Sequence, residues 1–595
     1  MNGIGGVVVR DTGINSMQVC DNMQTALKSR GADLYGTYIS AEMCLIHMGS
    51  NKSHVSKQPV RATMGQKAYI LVFDGELYNA EELRQELSKL GYRFSDANDA
   101  AVVLHSYMAW GQNCVEQFNG VFAFAIWDEA GLFIARDRLG LRPLFYATGD
   151  FGFVFASTIK GVLSHPSVPA EIGDEGVAEL VLMGPGRSPG FALFTHVREL
   201  APGECAYYKD GLSLHTYWRL KAKHHEDSFS QTVETVRGLF ADSVRRHVAK
   251  SGSIVSLLSG GLDSSAITAI SRIKDSFSVD YVGNEKYFFA NSQKDEDREY
   301  VEIMTAARGL NHRRIVLGSD ELADSLTDAM NARGFPGMAD IDGALLLLLH
   351  RVAAAGFDTA FSGEGADEIF GGYPWYQDEE LLFADTFPWA REVEYRASFL
   401  APGFLPSPKE FLQNRFNRAI SAANTLYDDD KTEKRARQMY NLNLGWFMQT
   451  LASRSDCMAT AAGIRLRTPF LDYRLVEYLF NVPWAMKNHD EREKGLLREV
   501  VKNNLPDKIL QRRKTPFPKI YTPGYTKRVQ DMLKNLLHDK NALIYQIVKR
   551  ESLEGLLAEN DKKWYGQLMT YPQTVAYFLQ LNAWMSAYNV KVTKI

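Results

Sequence analysis

Seven consecutive residues, Ser259-Gly260-Gly261-Leu262-Asp263-Ser264-Ser265, combine two glycines, one acid and three hydroxyls between an apolar run and an apolar helical stretch. A strand that feeds a glycine turn and then a helix presents backbone N–H groups and the positive helix end to an anion. The glycines let the backbone approach a phosphate closely, and the hydroxyls of Ser259, Ser264 and Ser265 can donate hydrogen bonds to it. Asp263 would repel a phosphate, so its role there is to hold a magnesium ion that bridges to it. The pattern is not a Walker loop, and alone it also fits a plain strand–turn–helix junction capped by serine and aspartate. A second loop changes the balance. Phe361–Tyr373 (FSGEGADEIFGGY) is again glycine-rich and acidic after a strand-like segment. Strand ends of a parallel sheet gather on one ligand, so both loops are expected to grip one nucleotide. Ser362 and Gly363 would lie beside it, and Asp367 would supply a second metal carboxylate opposite Asp263.

The elements around these loops read as a parallel sheet. Val233, Val236, Phe240, Val244 and Val248 recur at helical spacing. Strand-like runs at 253–258, 277–282, 313–317 and 358–361 then alternate with helical stretches, which predicts a doubly wound sheet. From residue 380 onward the pattern is mainly helical. Residues 1–200 differ: strand-like runs at 67–73, 121–127, 132–136 and 151–157 are separated by Gly, Asp and Asn turns, with helices near 80–90 and 100–110. That texture predicts a sheet-on-sheet layer. The turn-rich stretch 202–218 reads as the exit from this domain. The expected division is 1–205, a linker at 206–229, and 230–595.

Composition narrows the function classes. The net charge of −4 provides no global field for nucleic acid or anionic lipid. The basic run Gln511–Lys514 reads by default as a solvated loop. Five dispersed cysteines argue against a disulfide framework and for a reducing compartment. The apolar run 344–349 is too short to span a bilayer, and the first residues lack the pattern of a signal peptide. A cytoplasmic protein is expected.

The two loops together, with GFPGMADIDGALL, RTPFLDYRLVEYLFNVPW and EKGLLREVVKNNLPDKILQRRKTPFPK, resemble the ATP-pyrophosphatase domain of the asparagine synthetase family over most of residues 230–520. The resemblance implies ATP and Mg²⁺ as cofactors, and Ser259–Ser265 with Ser362 and Gly363 as nucleotide contacts. Asp263 and Asp367 would be the metal carboxylates. It implies that a substrate carboxylate attacks the α-phosphate of ATP and that an amine then displaces AMP. Lys494 matches the lysine that neutralises charge developing in both steps, and Glu364 a glutamate that orients or deprotonates the amine. β-Lactam synthetases carry tyrosine at the position of Glu364, which speaks against that subgroup. Where the family usually has glutamate, this chain has Arg465, a charge reversal expected near the site and a reason to question aspartate as the acid.

The first 200 residues resemble a class II glutamine amidotransferase, which implies an αββα sandwich of the Ntn-hydrolase kind. The stretches that carry the likeness are SRGAD (29–33), FDGELYN (73–79), FNGVFAFAIWD (118–128) and ARDRLGLRPLFY (135–146). The family's nucleophilic cysteine after the first methionine is Asn2 here, and an amide cannot attack. Ser29 and Ala32 stand where that family has histidine and proline. The arginine expected after His47 is absent from Met48-Gly49. Asp74 replaces the oxyanion-hole asparagine, and a carboxylate there would repel an oxyanion. Asp99 is retained. The expectation is a scaffold that has lost glutaminase chemistry, as in lasso-peptide cyclases and carbapenam synthetases, with Asp74 and Glu76 as cation acceptors in an alternative reading.

Three readings follow. The first is an AMP-forming amide ligase joining a small or peptidyl carboxylic acid to an amine other than glutamine-derived ammonia. The others are an asparagine synthetase running on free ammonia, and an ATP-binding pseudo-enzyme. The last is weakest, since Asp263, Glu364, Asp367 and Lys494 all persist. A homodimer is a family expectation, and neither nucleic acid nor membrane is an expected partner.

Overall fold

The computed structural model describes residues 2–10, 16–50, 57–95, 97–287 and 297–594. Contacts divide the chain into two units, Met1–Gly173 with Ser188–Arg219, and Asp174–Arg187 with Leu220–Ile595.

The two large sheets of the first unit are built, among the described residues, from β1 (Asn2–Val9), β2 (Leu34–Ile39), β3 (Met43–Gly49), β4 (Val60–Met64), β5 (Lys67–Leu77), β6 (Gly120–Trp127), β7 (Leu132–Arg136), β8 (Phe145–Gly149), β9 (Gly152–Ala156), β10 (Arg198–Glu199), β11 (Glu204–Tyr208) and β12 (Leu212–Thr216). They form two six-stranded sheets, ordered β10-β8-β9-β1-β3-β2 and β12-β11-β7-β6-β5-β4. Alternation along each strand sends one apolar set inward. Ile4, Val8 and Leu45 from one sheet meet Ile70, Val72 and Ile134 from the other in a single core. The outer faces carry helices. On the first sheet lies α1 (Ser16–Leu27), where a Cβ on Gly5 would stand 2.5 Å from Met23 Sδ. Gly3 and Gly5 of β1, where a Cβ would meet Leu27 and Met23, are thus the seat of a helix. On the second sheet, α2 (Ala80–Lys89) and α3 (Asp99–Trp110) bury Leu83, Leu87, Val102 and Val103 against Phe73, Phe122 and Phe124. The result is the αββα sandwich the resemblance implied. Residues 204–216, read from sequence as an exit, form a hairpin on the edge of the second sheet.

Cys20 on α1 and Cys44 on β3 are joined in a disulfide, while Cys114, Cys205 and Cys457 are buried thiols. The dispersal argument therefore missed a pair that lies 24 residues apart in sequence but is brought together by packing.

In the second unit, β13 (Ile254–Leu257), β14 (Asp275–Tyr281), β15 (Asn311–Leu317), β16 (Thr359–Phe361) and β17 (Arg465–Arg467) form one sheet ordered β15-β14-β13-β16-β17. Every neighbouring pair is parallel. The order runs outward in both directions from β13, so the crevice between the C-terminal ends of β13 and β16 is the switch point where such sheets take ligands. The helices that matter below are α4 (Phe229–Ala249), α5 (Leu262–Ser271), α6 (Asp297–Arg308), α7 (Asp340–Ala354), α8 (Ala366–Phe370), α9 (Met448–Ala461) and α10 (Gly495–Val501). Helix α4 opens on a capping box in which Ser228 and Gln231 serve each other's backbone. The apolar run 344–349 lies inside α7, and no described helix is long and apolar enough to cross a membrane.

Two buried histidines of the first unit give it an acid-sensitive stability. Burial lowers His47 and His165 to about 4, and His165 Nδ1 accepts a hydrogen bond from Ser167 N (3.2 Å), which protonation would break. A histidine with a depressed folded pKa stays neutral in the fold while the unfolded chain takes up a proton below about 6.5. Stability should therefore fall as pH drops from about 6.5 towards 4, with His47 accounting for ~2 kcal/mol at pH 5. Urea unfolding of the full chain at pH 7 and pH 5, alongside His47→Gln and His165→Gln, checks this; both variants should flatten the pH dependence.

Candidate active site

Loop 258–261 leaves β13 and enters α5, and loop 362–365 leaves β16 and enters α8. The two loops touch: a Cβ on Gly363 would stand 2.8 Å from Ser264 N and 2.9 Å from Asp263 Cβ. Gly260 has φ +71°, and a Cβ there would meet Tyr300 Cβ at 2.6 Å, so only glycine lets α6 pack against the first loop. Ser259, Gly261, Leu262, Asp263, Ser264, Ser362, Gly363, Glu364, Asp367 and Lys494 all line one cavity of about 530 Å³. Gly260 shapes the loop instead of lining the cavity. Ser265 departs from expectation: it is fully buried on α5 and its hydroxyl faces the packed interior, because successive helical residues cannot share a face.

Asp263 and Asp367 converge on one ammonium group. Lys494 Nζ lies 2.7 and 2.6 Å from the two oxygens of Asp263 and 2.7 Å from Asp367 Oδ1. Lys514 Nζ approaches the other oxygen of Asp367 at 2.7 Å. Lys494 is only 2% exposed. It sits in the left-handed region at φ 56°, immediately before α10, a conformation unfavourable for lysine and typical of residues held in place for a task. A Cβ on Gly372 would stand 2.0 Å from Asp367 Oδ1 and 2.4 Å from Lys494 Cε, so this glycine makes room for the pair.

Electrostatics divides the three groups. Burial pushes the Asp263 carboxyl up, against the pull of Lys494. For Asp367 burial acts in the same direction, but Lys494 and Lys514 outweigh it and hold the carboxyl down to about 2. Burial disfavours the Lys494 ammonium, and the two carboxylates more than reverse that, so its pKa is raised. The adjoining Glu368, which accepts a hydrogen bond from Tyr373 OH at 2.6 Å, is pushed up to about 7 by burial and by Asp367.

Among the described residues no group of three or more His, Cys, Asp or Glu gathers as a metal site. Two carboxylates aimed at one point suit a magnesium ion that arrives on a triphosphate, because Mg²⁺ takes few protein oxygens and shares the phosphates. Asp263 and Asp367 are the residues that would hold it.

Glu364 is fixed by its neighbours on α9: Arg454 Nη2 and Ser455 Oγ each donate to one of its carboxylate oxygens. Neither partner was singled out from sequence. The larger omission is the basic run at 511–514, read as a solvated loop. Arg512 is 3% exposed, stacks on the Tyr300 ring at 4.1 Å, pairs with Asp297 and donates to Ser259 O at 3.1 Å. It therefore braces the first glycine loop, and Lys514 reaches Asp367. The signal available was position within a matching stretch, not the charges themselves. Arg465 corrects a second expectation. It lies at the start of β17 and pairs with Asp358 at 3.0 Å, ahead of β16, whereas the loops that hold the cavity follow the strands. The charge reversal is neutralised at the far end of the sheet.

In the first unit, Asn2, Arg30 and Asp74, drawn from the stretches that resemble an amidotransferase, form a buried polar cluster. Arg30 Nη2 pairs with Asp74 Oδ2 at 2.9 Å, and Arg30 Nε donates to Asn2 O at 2.9 Å. Asn2 N donates to Asp74 Oδ1 at 3.2 Å, and its side-chain amide to Phe73 O at 3.3 Å. Asp74 is 1% exposed, and the cation its carboxylate meets is the Arg30 guanidinium. Asp99 Oδ2 accepts from Leu77 N at 2.9 Å.

Comparison with known proteins agrees with this geometry. The asparagine synthase family model matches residues 235–586, and the glutamine amidotransferase domain model matches residues 1–218. The chain is 38% identical to asparagine synthetase [glutamine-hydrolyzing] 3 of Bacillus subtilis, covering 97% of each. It is 27% identical to asparagine synthetase [glutamine-hydrolyzing] 1 of the same organism, over 80% of each. To amidase chry2 of Gibberella zeae it is 23% identical, over 94% of this chain and 95% of that one. With a cavity built on both glycine loops and a family model spanning more than half of its length, the chain belongs to the asparagine synthetase family of ATP-dependent amide ligases.

Proposed function

We propose that this ligase adenylylates a carboxylic acid with ATP, releases pyrophosphate, and passes the acyl group to an amine with release of AMP, without drawing ammonia from glutamine. The observation that carries the reading is the convergence of Asp263 and Asp367 on Lys494. The reaction brings a carboxylate against a polyphosphate, so cationic charge must be held where negative charge develops. Lys494 is positioned between the loops to supply it, with Lys514 behind and Arg512 bracing the loop. Magnesium, when bound, would add charge neutralisation and polarise the phosphates. Glu364, immobilised by Arg454 and Ser455, would orient the incoming amine or take its proton.

The absence of glutaminase chemistry rests on the first unit. A thiolate nucleophile is replaced by Asn2, and the oxyanion position by a carboxylate already paired to Arg30. Removing one partner of such a pair would leave a buried charge uncompensated, so the cluster is fitted to structure and not to a tetrahedral intermediate. A second reading, asparagine formation from free ammonia, draws support for its product alone from the Bacillus subtilis relative, whose name, asparagine synthetase [glutamine-hydrolyzing] 3, gives glutamine as that protein's own nitrogen source.

A pyrophosphate-release assay with Mg-ATP, an acid panel and several amines is expected to show turnover with at least one acid, abolished by Lys494→Met. Glutamine should yield no glutamate; if it does, the account of the first unit is wrong. Asparagine appearing only with ammonium and aspartate would favour the second reading. Gly372→Ala should weaken Mg-ATP binding by at least ~10-fold with an unchanged circular dichroism spectrum, since a Cβ there must displace Asp367 or Lys494.

A further inference from the structure

Beyond Glu364 the cavity wall turns apolar. Leu451 lies three residues before Arg454 on α9, a spacing that sets both on one helical face, Phe447 directly precedes that helix, and all three line the cavity. Phe447 is held by Tyr373, Trp389 and Tyr565, with ring centroids at 5.2, 4.9 and 5.8 Å. Phe517 lies under the Arg454 guanidinium at 5.7 Å, and Leu568 lines the same cavity.

Several charged groups of the cavity already have partners. Arg454 serves Glu364, Lys494 serves Asp263 and Asp367, and Lys514 serves Asp367. Glu368 accepts from Tyr373, and Lys519 donates to Thr570 Oγ1 at 3.2 Å. Aspartate would bring, besides its reacting carboxyl, a second carboxylate and an ammonium, and each would need a partner on leaving water. Leu451 and Phe447 offer none; an alkyl or aryl group would instead gain by burial against them.

Resting on the ligase reading above, we propose that the acid substrate carries an apolar aliphatic or aromatic body, seated on Leu451 and Phe447, and is not aspartate. The acyl-adenylate forms by attack of its carboxylate oxygen on the α-phosphorus of ATP, with the α–β phosphoanhydride bond breaking and pyrophosphate leaving.

ATP–pyrophosphate exchange separates the acid from the amine, since no amine is required. The full chain with Mg-ATP is assayed with aspartate, glutamate, hexanoate and 3-phenylpropanoate. Exchange with hexanoate or 3-phenylpropanoate should exceed that with aspartate at least ~10-fold in kcat/KM, as a few buried carbons in an apolar pocket allow. Leu451→Asp should raise KM for the preferred apolar acid by a similar factor while KM for ATP stays put, and Leu451→Met, which keeps an apolar side chain, should retain the preference for the apolar acid over aspartate. An unchanged ATP KM also shows that the variant is folded. Exchange that prefers aspartate overturns the inference and leaves the ligase reading intact. Exchange with no acid, in protein that still binds Mg-ATP, overturns the ligase reading and the inference with it.

Discussion

Two carboxylates, Asp263 and Asp367, and one buried ammonium, Lys494, are the constraint around which the second unit is organised. Each charge would be costly alone at this depth. Together they are sustained by contributions from three separate stretches of chain. The first is the opening turn of α5 after β13, the second that of α8 after β16, and the third the turn before α10. Small residues permit this convergence. Gly260 admits α6, Gly363 admits the neighbouring loop, and Gly372 leaves room for Asp367 and Lys494. Lys494 adopts a left-handed backbone at the same point. Where several local preferences are overridden at one location, the surrounding fold is stabilising a functional arrangement.

The first unit contains a pair of the same kind with the opposite outcome. Arg30 and Asp74 neutralise one another beside Asn2, which bonds to both. A sandwich of two well-packed sheets can vary the residues of such a polar cluster and keep its core, because successive side chains of a strand point to opposite faces. In the second unit the charges line an open cavity; in the first they close upon themselves.

Much of this was legible in the sequence. The strands β13, β14, β15 and β16 announced themselves as short apolar runs ahead of glycines, and the two loops carried enough chemistry to be paired with one ligand. The opening strand β1 was not recognised, since NGIGGVVV has glycines where alternation would be sought; the role of Gly5, a seat for Met23, is visible only in three dimensions. The basic run at 511–514 looked solvated because a charge count contains no information on burial. Arg512 and Lys514 take their meaning from Tyr300, Asp297 and Asp367, all distant in sequence. Arg465 failed for the converse reason: closeness to a motif along the chain does not say which end of a strand a side chain occupies. Leu451 and Phe447 gave no signal at all, as apolar residues on a helix are ordinarily core.

The central claim is that Asp263 and Asp367 act on one nucleotide and one metal ion as a unit. A double-mutant cycle of Mg-ATP affinity, measured by titration calorimetry on the wild type, Asp263→Asn, Asp367→Asn and the double variant, tests it most directly. The account predicts one site per chain, a loss in each single variant, and a double variant scarcely weaker than the worse single. Additive losses, or affinity indifferent to either substitution, would contradict it.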